Sequence, residues 1–156
     1  MTKPRRIDGI GAPVKRREDI RLLTGRGRYS EDWNAPDQAY AAFVRSPHAH
    51  AEVISVDAKP GLALAGVLGV FTGRDLVDDG VGPIPTLIAE RGGGIRSRDG
   101  SAFAEPAWYP LATDTVRHVG EPVAIVVAAT AAGARDAAEA VRVRYGERPA
   151  VIDAVP

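Results

Sequence analysis

The stretch Glu121-Pro-Val-Ala-Ile-Val-Val-Ala-Ala129, with Thr130 and the run from Ala131 to Tyr145 behind it, decides the class of fold. A continuous apolar run of strand length with a proline at its entrance predicts a strand buried on both faces. Thr130 then caps a predicted helix over 131–140, where Ala134, Ala138 and Val141 share one face and Arg135, Asp136, Glu139 and Arg142 favour the other. A face of such small residues lets a helix lie close to a sheet. Val141-Arg-Val-Arg-Tyr145 alternates, apolar in and arginine out, as a half-buried strand does.

The same strand–helix–strand order occurs earlier. Ala51-Glu-Val-Ile-Ser-Val-Asp57 alternates as a strand, and Asp57 is placed to cap a short helix over 58–65, with Pro60 in its first turn and Gly66 at its stop. Val67–Phe71 follows as an apolar strand, and Thr72-Gly-Arg-Asp75 has the spacing of a capping box opening a helix that ends near Val77. A further strand at 39–45 precedes the break at Ser46-Pro47. Five strands with two or three short helices point to α+β or α/β class in a mixed sheet rather than to a purely parallel doubly wound one. Residues 80–106, rich in Gly and Pro, read as a long loop that is mobile or held by a partner.

The 156 residues suit one domain with a real core. Lys and Arg total 20, as do Asp and Glu, which argues against a polyanion-binding field over the whole molecule. The absence of cysteine excludes disulfides, thiolate metal sites and thiol nucleophiles from this chain. Neither an apolar signal core nor 18 consecutive apolar residues occur, so the expectation is a cytoplasmic protein with no membrane span. Residues 1–34 form a basic N-terminal arm and lead-in segment, and 35–156 form the domain proper. Tyr29 at the far end of the arm and the mixed charges of Lys15-Arg-Arg-Glu-Asp19 favour packing on a protein neighbour over nucleic-acid binding.

His48-Ala-His50-Ala-Glu52 has the alternate spacing of three metal ligands, and His118 offers a fourth. Pro47 makes the start of that run a turn, however, and two histidines in a turn favour hydrogen bonding over metal binding. Gly25-Arg-Gly27 and Gly92-Gly-Gly94 lack the rest of any nucleotide fingerprint. Ser46, His48 and an aspartate could be assembled into a hydrolytic triad, but there is no nucleophile elbow and Ser46 precedes a proline. The residues alone therefore predict no self-contained active site.

Several motifs in order carry a likeness: Gly25-x-Gly27-x-Tyr29-x-x-Asp32, Arg45-Ser-Pro-His-Ala-His-Ala51, Gly66-Val-Leu-Gly-Val-Phe-Thr72, Pro110-Leu-Ala112 and Val116-Arg-His-Val-Gly-Glu-Pro-Val-Ala124, then Ala137-Ala-Glu-x-Val141-x-Val-x-Tyr145. Over residues 7–155 the chain resembles the N-terminal domain of the molybdenum-binding large subunit of the xanthine dehydrogenase, aldehyde oxidase and carbon monoxide dehydrogenase family. The resemblance implies the α/β hammerhead fold and a structural part in a molybdenum hydroxylase, with no catalytic, cofactor-binding or metal residue in this chain and no activity of the chain alone. It also implies a molybdopterin-binding remainder as partner, with iron–sulfur and FAD subunits beyond it. Arg45, Ser46, Pro47, His48, His50, Gly120, Glu121 and Pro122 are the family-motif positions, expected to act in turns, at a strand entrance and at an interface. A free-standing binding or scaffold domain is the alternative.

Overall fold

A computed structural model of the chain describes residues 11–12, 14–86, 96–101 and 106–151. The loop expected at 80–106 thus lies partly outside the described residues. Within the described part, Ile84 N–H donates to Trp108 O at 2.8 Å, and Ser97 to Ser101 close a turn.

Residues 1–36 and 37–156 form separate units. The first contains helix α1 (Asp19–Leu23), opened by the Asp19 carboxylate, which accepts from Arg16 N–H and Arg16 Nε. A single 3-10 turn at Ser30–Asp32 follows, and the Arg28 guanidinium sits 5.1 Å from the Trp33 ring centroid. Sequence reading gives this stretch only as a basic arm and lead-in segment. A helix of five residues with none buried leaves no apolar periodicity to detect.

The second unit holds strands β1 (Tyr40–Arg45), β2 (Ala51–Asp57), β3 (Val67–Thr72), β4 (Thr115–Val116), β5 (Pro122–Ala128) and β6 (Arg142–Glu147). Helices α2 (Lys59–Leu62), α3 (Gly73–Asp78) and α4 (Ala131–Ala140) lie between them. The α+β class and the two strand–helix–strand stretches are present. In place of one mixed sheet the strands divide into two of three, ordered β1-β5-β3 and β4-β2-β6, with antiparallel pairing throughout the described residues. Each helix carries the chain from one sheet to the other: α2 links β2 to β3, and α4 leads back from β5 to β6. Strands that flank a helix are therefore not sheet neighbours, and no parallel crossover forms.

The α2 helix is shorter than expected because Pro60 and Gly61 occupy half of it. Its close approach to α4 explains the glycine: a Cβ on Gly61 would stand 2.8 Å from Ala137 O and 3.0 Å from a Val141 methyl. Ala134, Ala137 and Val141 are buried on the sheet-facing side of α4. The core is made of small residues, Ala51, Val53, Ala112, Val116 and Val123 in one cluster and Val126, Ala137 and Val141 in another. Val56 and Val143 pack against both and join the two sheets. Each valine taken wholly out of water contributes about 1.5–3 kcal/mol.

One expectation is corrected. The strand expected to be buried on both faces is so only at its start, where Val123 and Ala124 are fully buried; further along, Val126 and Ala128 lie beneath α4, whereas Ile125 and Val127 on the opposite face are only half-buried. Nothing in the described residues supplies a second helical layer over that side of β5.

Candidate functional site

The two motif segments, 45–50 and 117–122, come together at the end of the β1–β5 pair. β1 runs out at Arg45 opposite Pro122, after a register shift at Val44/Arg45. Beyond it the chain turns, and the pairing continues irregularly: Ser46 N–H donates to Glu121 O at 2.9 Å, and Gly120 N–H donates back to Ser46 O at 2.8 Å. Arg45 closes the junction from outside, with Nη1 donating to Gly120 O at 2.8 Å and the guanidinium 5.3 Å from the Phe43 ring centroid.

Ser46 is buried, and its hydroxyl is consumed by the turn, accepting from His48 N–H at 3.0 Å and donating to His48 O at 3.2 Å. The contact is with the backbone of His48, not its ring, so Ser46 and His48 do not form a nucleophile–base pair. Pro47 is exposed at the tip. The His48 ring stands edge-on to Tyr145, centroids 4.9 Å apart, with Nδ1 3.5 Å from the Glu147 carboxylate. His50 faces elsewhere: its Nδ1 is 2.7 Å from Pro149 O, which requires the proton on Nδ1, and Arg148 N–H donates to His50 O at 3.0 Å.

Glu121 is the buried carboxylate of the junction. It accepts from Arg117 N–H and lies 3.5 Å from Nδ1 of the exposed His118, while its own N–H donates to His118 O at 3.3 Å. Gly120 forms the bend between these groups with φ of +87°, a left-handed conformation in which a side chain is disfavoured. Pro122 leaves its carbonyl to accept from Ala112 N–H at 2.8 Å, tying β5 to the chain before β4.

All eight motif residues thus lie in turns or at strand ends, and six of them make the hydrogen-bonded junction. His48, His50, Glu52 and His118 do not converge: each histidine has its own partner, and Glu52 pairs with Arg148 at 2.9 Å. Among the described residues no three His, Asp or Glu side chains could hold a metal ion. A groove of about 320 Å³ lined by Arg74, Val77, Asp78, Tyr109, Thr113 and Asp114 lies away from this junction.

Sequence reading missed the part played by Tyr145. Its hydroxyl is buried without a hydrogen-bond partner. Burial pushes the phenol above its ordinary value of 10.0, with the nearby Ser46 hydroxyl pulling weakly the other way. The alternation of 141–145 points this side chain inward but cannot say that His48 is what it meets.

Residues 24–149 match the profile of the a/b hammerhead domain of aldehyde oxidase and xanthine dehydrogenase. The chain is 39% identical over 145 residues to the nicotine 6-hydroxylase large subunit of Paenarthrobacter nicotinovorans, covering 92% of this chain and 16% of that protein. It is 34% identical over 148 residues to the carbon monoxide dehydrogenase large chain of Afipia carboxidovorans, covering 95% of this chain and 16% of that one. Among solved structures, the reconstituted CO dehydrogenase from Oligotropha carboxidovorans superposes with a TM-score of 0.73 at 36% identity, over 93% of this chain and 16% of the other. Quinoline 2-oxidoreductase from Pseudomonas putida gives 0.67 at 42% identity, over 88% and 16%. The chain spans about 16% of the length of the relatives it matches. With two three-stranded sheets exchanged through two helices, and with residues 24–149 matching that profile, it belongs to the aldehyde oxidase and xanthine dehydrogenase a/b hammerhead family.

Proposed function

We propose that this chain is a structural, non-catalytic domain of the molybdenum-binding large subunit of a molybdopterin-dependent oxidoreductase, and that it docks on the cofactor-binding remainder of that subunit. One observation carries this reading: nearly the whole chain aligns, yet with only 16% of each large subunit. The side-chain chemistry agrees with it. The motif residues are engaged with backbone groups and with one another.

The molybdenum cofactor, bound by the remainder, supplies the redox chemistry of substrate hydroxylation or oxidation with water. Iron–sulfur and FAD subunits carry the electrons away. The residues of this chain hold the junction of its two sheets and present a surface to the larger region.

The test is assembly in trans. The molybdopterin-binding remainder is produced as a separate polypeptide with and without this chain, and each preparation is passed through size exclusion with metal analysis. The expected result is a one-to-one complex carrying molybdenum; separate elution of the two polypeptides contradicts the reading.

A further inference from the structure

The two sheets have one buried face each, and their other faces differ in kind. In β4-β2-β6 the outer face is charged apart from a single exposed Ile54: Glu52, Asp57, Arg142 and Arg144 are exposed, Asp57 stands opposite Arg142, and Glu52 pairs with Arg148. This is the polar side of an ordinary half-solvated antiparallel sheet. In β1-β5-β3 the inner face carries Val44, Val126 and Val70, packed in the cluster with Ala137 and Val141 beneath α4. The outer face carries Phe43, Ile125 and Phe71 in register across all three strands, with Val127 one step along β5. Directly paired residues share a face, so these side chains form one apolar row. Phe43 is 46% exposed and Phe71 43%, and Ile125 and Val127 are half-buried.

The continuous apolar run of β5 has the composition of a strand buried on both sides, and α4 covers one. A contiguous apolar row that runs across all three strands, unlike singly exposed side chains, marks a surface made for a partner. The relatives have about five-sixths of their large subunit outside the aligned region.

We infer that the outer face of β1-β5-β3, centred on Phe43, Ile125 and Phe71, is the seat of the molybdopterin-binding remainder of the large subunit, which covers it with an apolar surface. This rests on the proposed function and names the face that performs it. Arg45, lying over Phe43 and bonded to Gly120 O, places the motif junction at the rim of the same face.

The chain has no cysteine, so single cysteines report cleanly. Phe43→Cys and Phe71→Cys on this face, and Ser55→Cys in the other sheet, are labelled with a maleimide in the chain alone and in its complex with the remainder. Labelling is read at each site by mass spectrometry. Positions 43 and 71 are expected to slow by about tenfold or more in the complex, as at an interface core that excludes water, with position 55 unchanged. Unprotected 43 and 71 in a complex that carries molybdenum overturn the inference and leave the proposed function standing. Failure of the wild-type chain to form the complex overturns the proposed function itself. Protection that grows with concentration in the chain alone assigns the face to a second copy and also overturns the inference. If the cysteine variants do not fold, hydroxyl-radical oxidation of Phe43 and Phe71 in the wild-type chain and complex reads the same change.

Discussion

Gly120 is the residue on which the motif junction turns. Nothing lies within 4 Å of where its Cβ would be, so a side chain there meets open space; the obstacle is the backbone, at φ of +87°. A β-branched residue is especially poor in that region. Gly120→Val should therefore lower stability by about 1–3 kcal/mol through strain at the bend and weakening of the Ser46–Gly120 exchange. Chemical unfolding checks this, and an unchanged midpoint contradicts it. Tyr145 makes the opposite case, a side chain whose polar atom works against the fold. A buried hydroxyl without a partner costs about 1–3 kcal/mol relative to a paired one. Tyr145→Phe should accordingly be neutral or stabilising, by up to roughly 1 kcal/mol. The pH dependence has a definite sign. Burial raises the phenol above 10.0, so the native state favours the protonated form, and stability present below pH 10 is lost as pH rises through the native value. Wild type should lose stability above pH 10 faster than the Phe variant, read as a melting-temperature gap that widens with pH; a gap independent of pH contradicts the burial of that hydroxyl.

At the scale of elements, local signals were read well where they are made by adjacent residues. The strand over 51–57 and the helix over 131–140 occur at the expected positions because each is specified by its own periodicity and by an end residue, Thr130 accepting from Gly133 N–H. The Thr-x-x-Asp box is likewise real. Thr72 Oγ1 accepts from Asp75 N–H, and Thr72 N–H and Oγ1 both donate to the Asp75 carboxylate at 2.7 Å. Those bonds hold the Asp75 carboxyl below its ordinary 3.8. Thr72→Ala should cost about 1 kcal/mol at neutral pH, the usual value of such a cap. Because the native pKa is depressed, the contribution of Asp75 is present above the unfolded value and is lost as pH falls through the native one. The gap in stability between wild type and Asp75→Asn, followed by denaturant titration, should shrink on acidification below pH 3.8; a constant gap contradicts the capping role. What the chain does not declare locally is which sheet a strand joins. Nothing in Ala51–Asp57 or Val67–Phe71 distinguishes a parallel crossover from strands sent to different sheets, since both have the same alternation. The two-residue strand β4 is too short for any period to register. Of the candidate site, the motif residues were legible through resemblance alone. Their geometry, in which Ser46 serves a turn and the histidines go to Tyr145, Pro149 and Glu121, depends on segments about 100 residues apart meeting, as His50 and Pro149 do.

For the whole molecule, the contrast between the charged outer face of one sheet and the apolar outer face of the other is the feature that points beyond the chain. No described helix is long and apolar enough to cross a membrane, so the exposed apolar row is not accompanied by a span. Its composition suits a surface buried in a larger assembly, and the chain spans only about 16% of the relatives it matches. The central claim is tested most directly by capturing this domain from native extract, then measuring the mass of what it belongs to or binds and the molybdenum it carries. The account predicts molybdenum in stoichiometric amount together with a molybdopterin-binding region several times larger than this chain. A metal-free monomer of 16.5 kDa would contradict it and favour a free-standing scaffold domain instead.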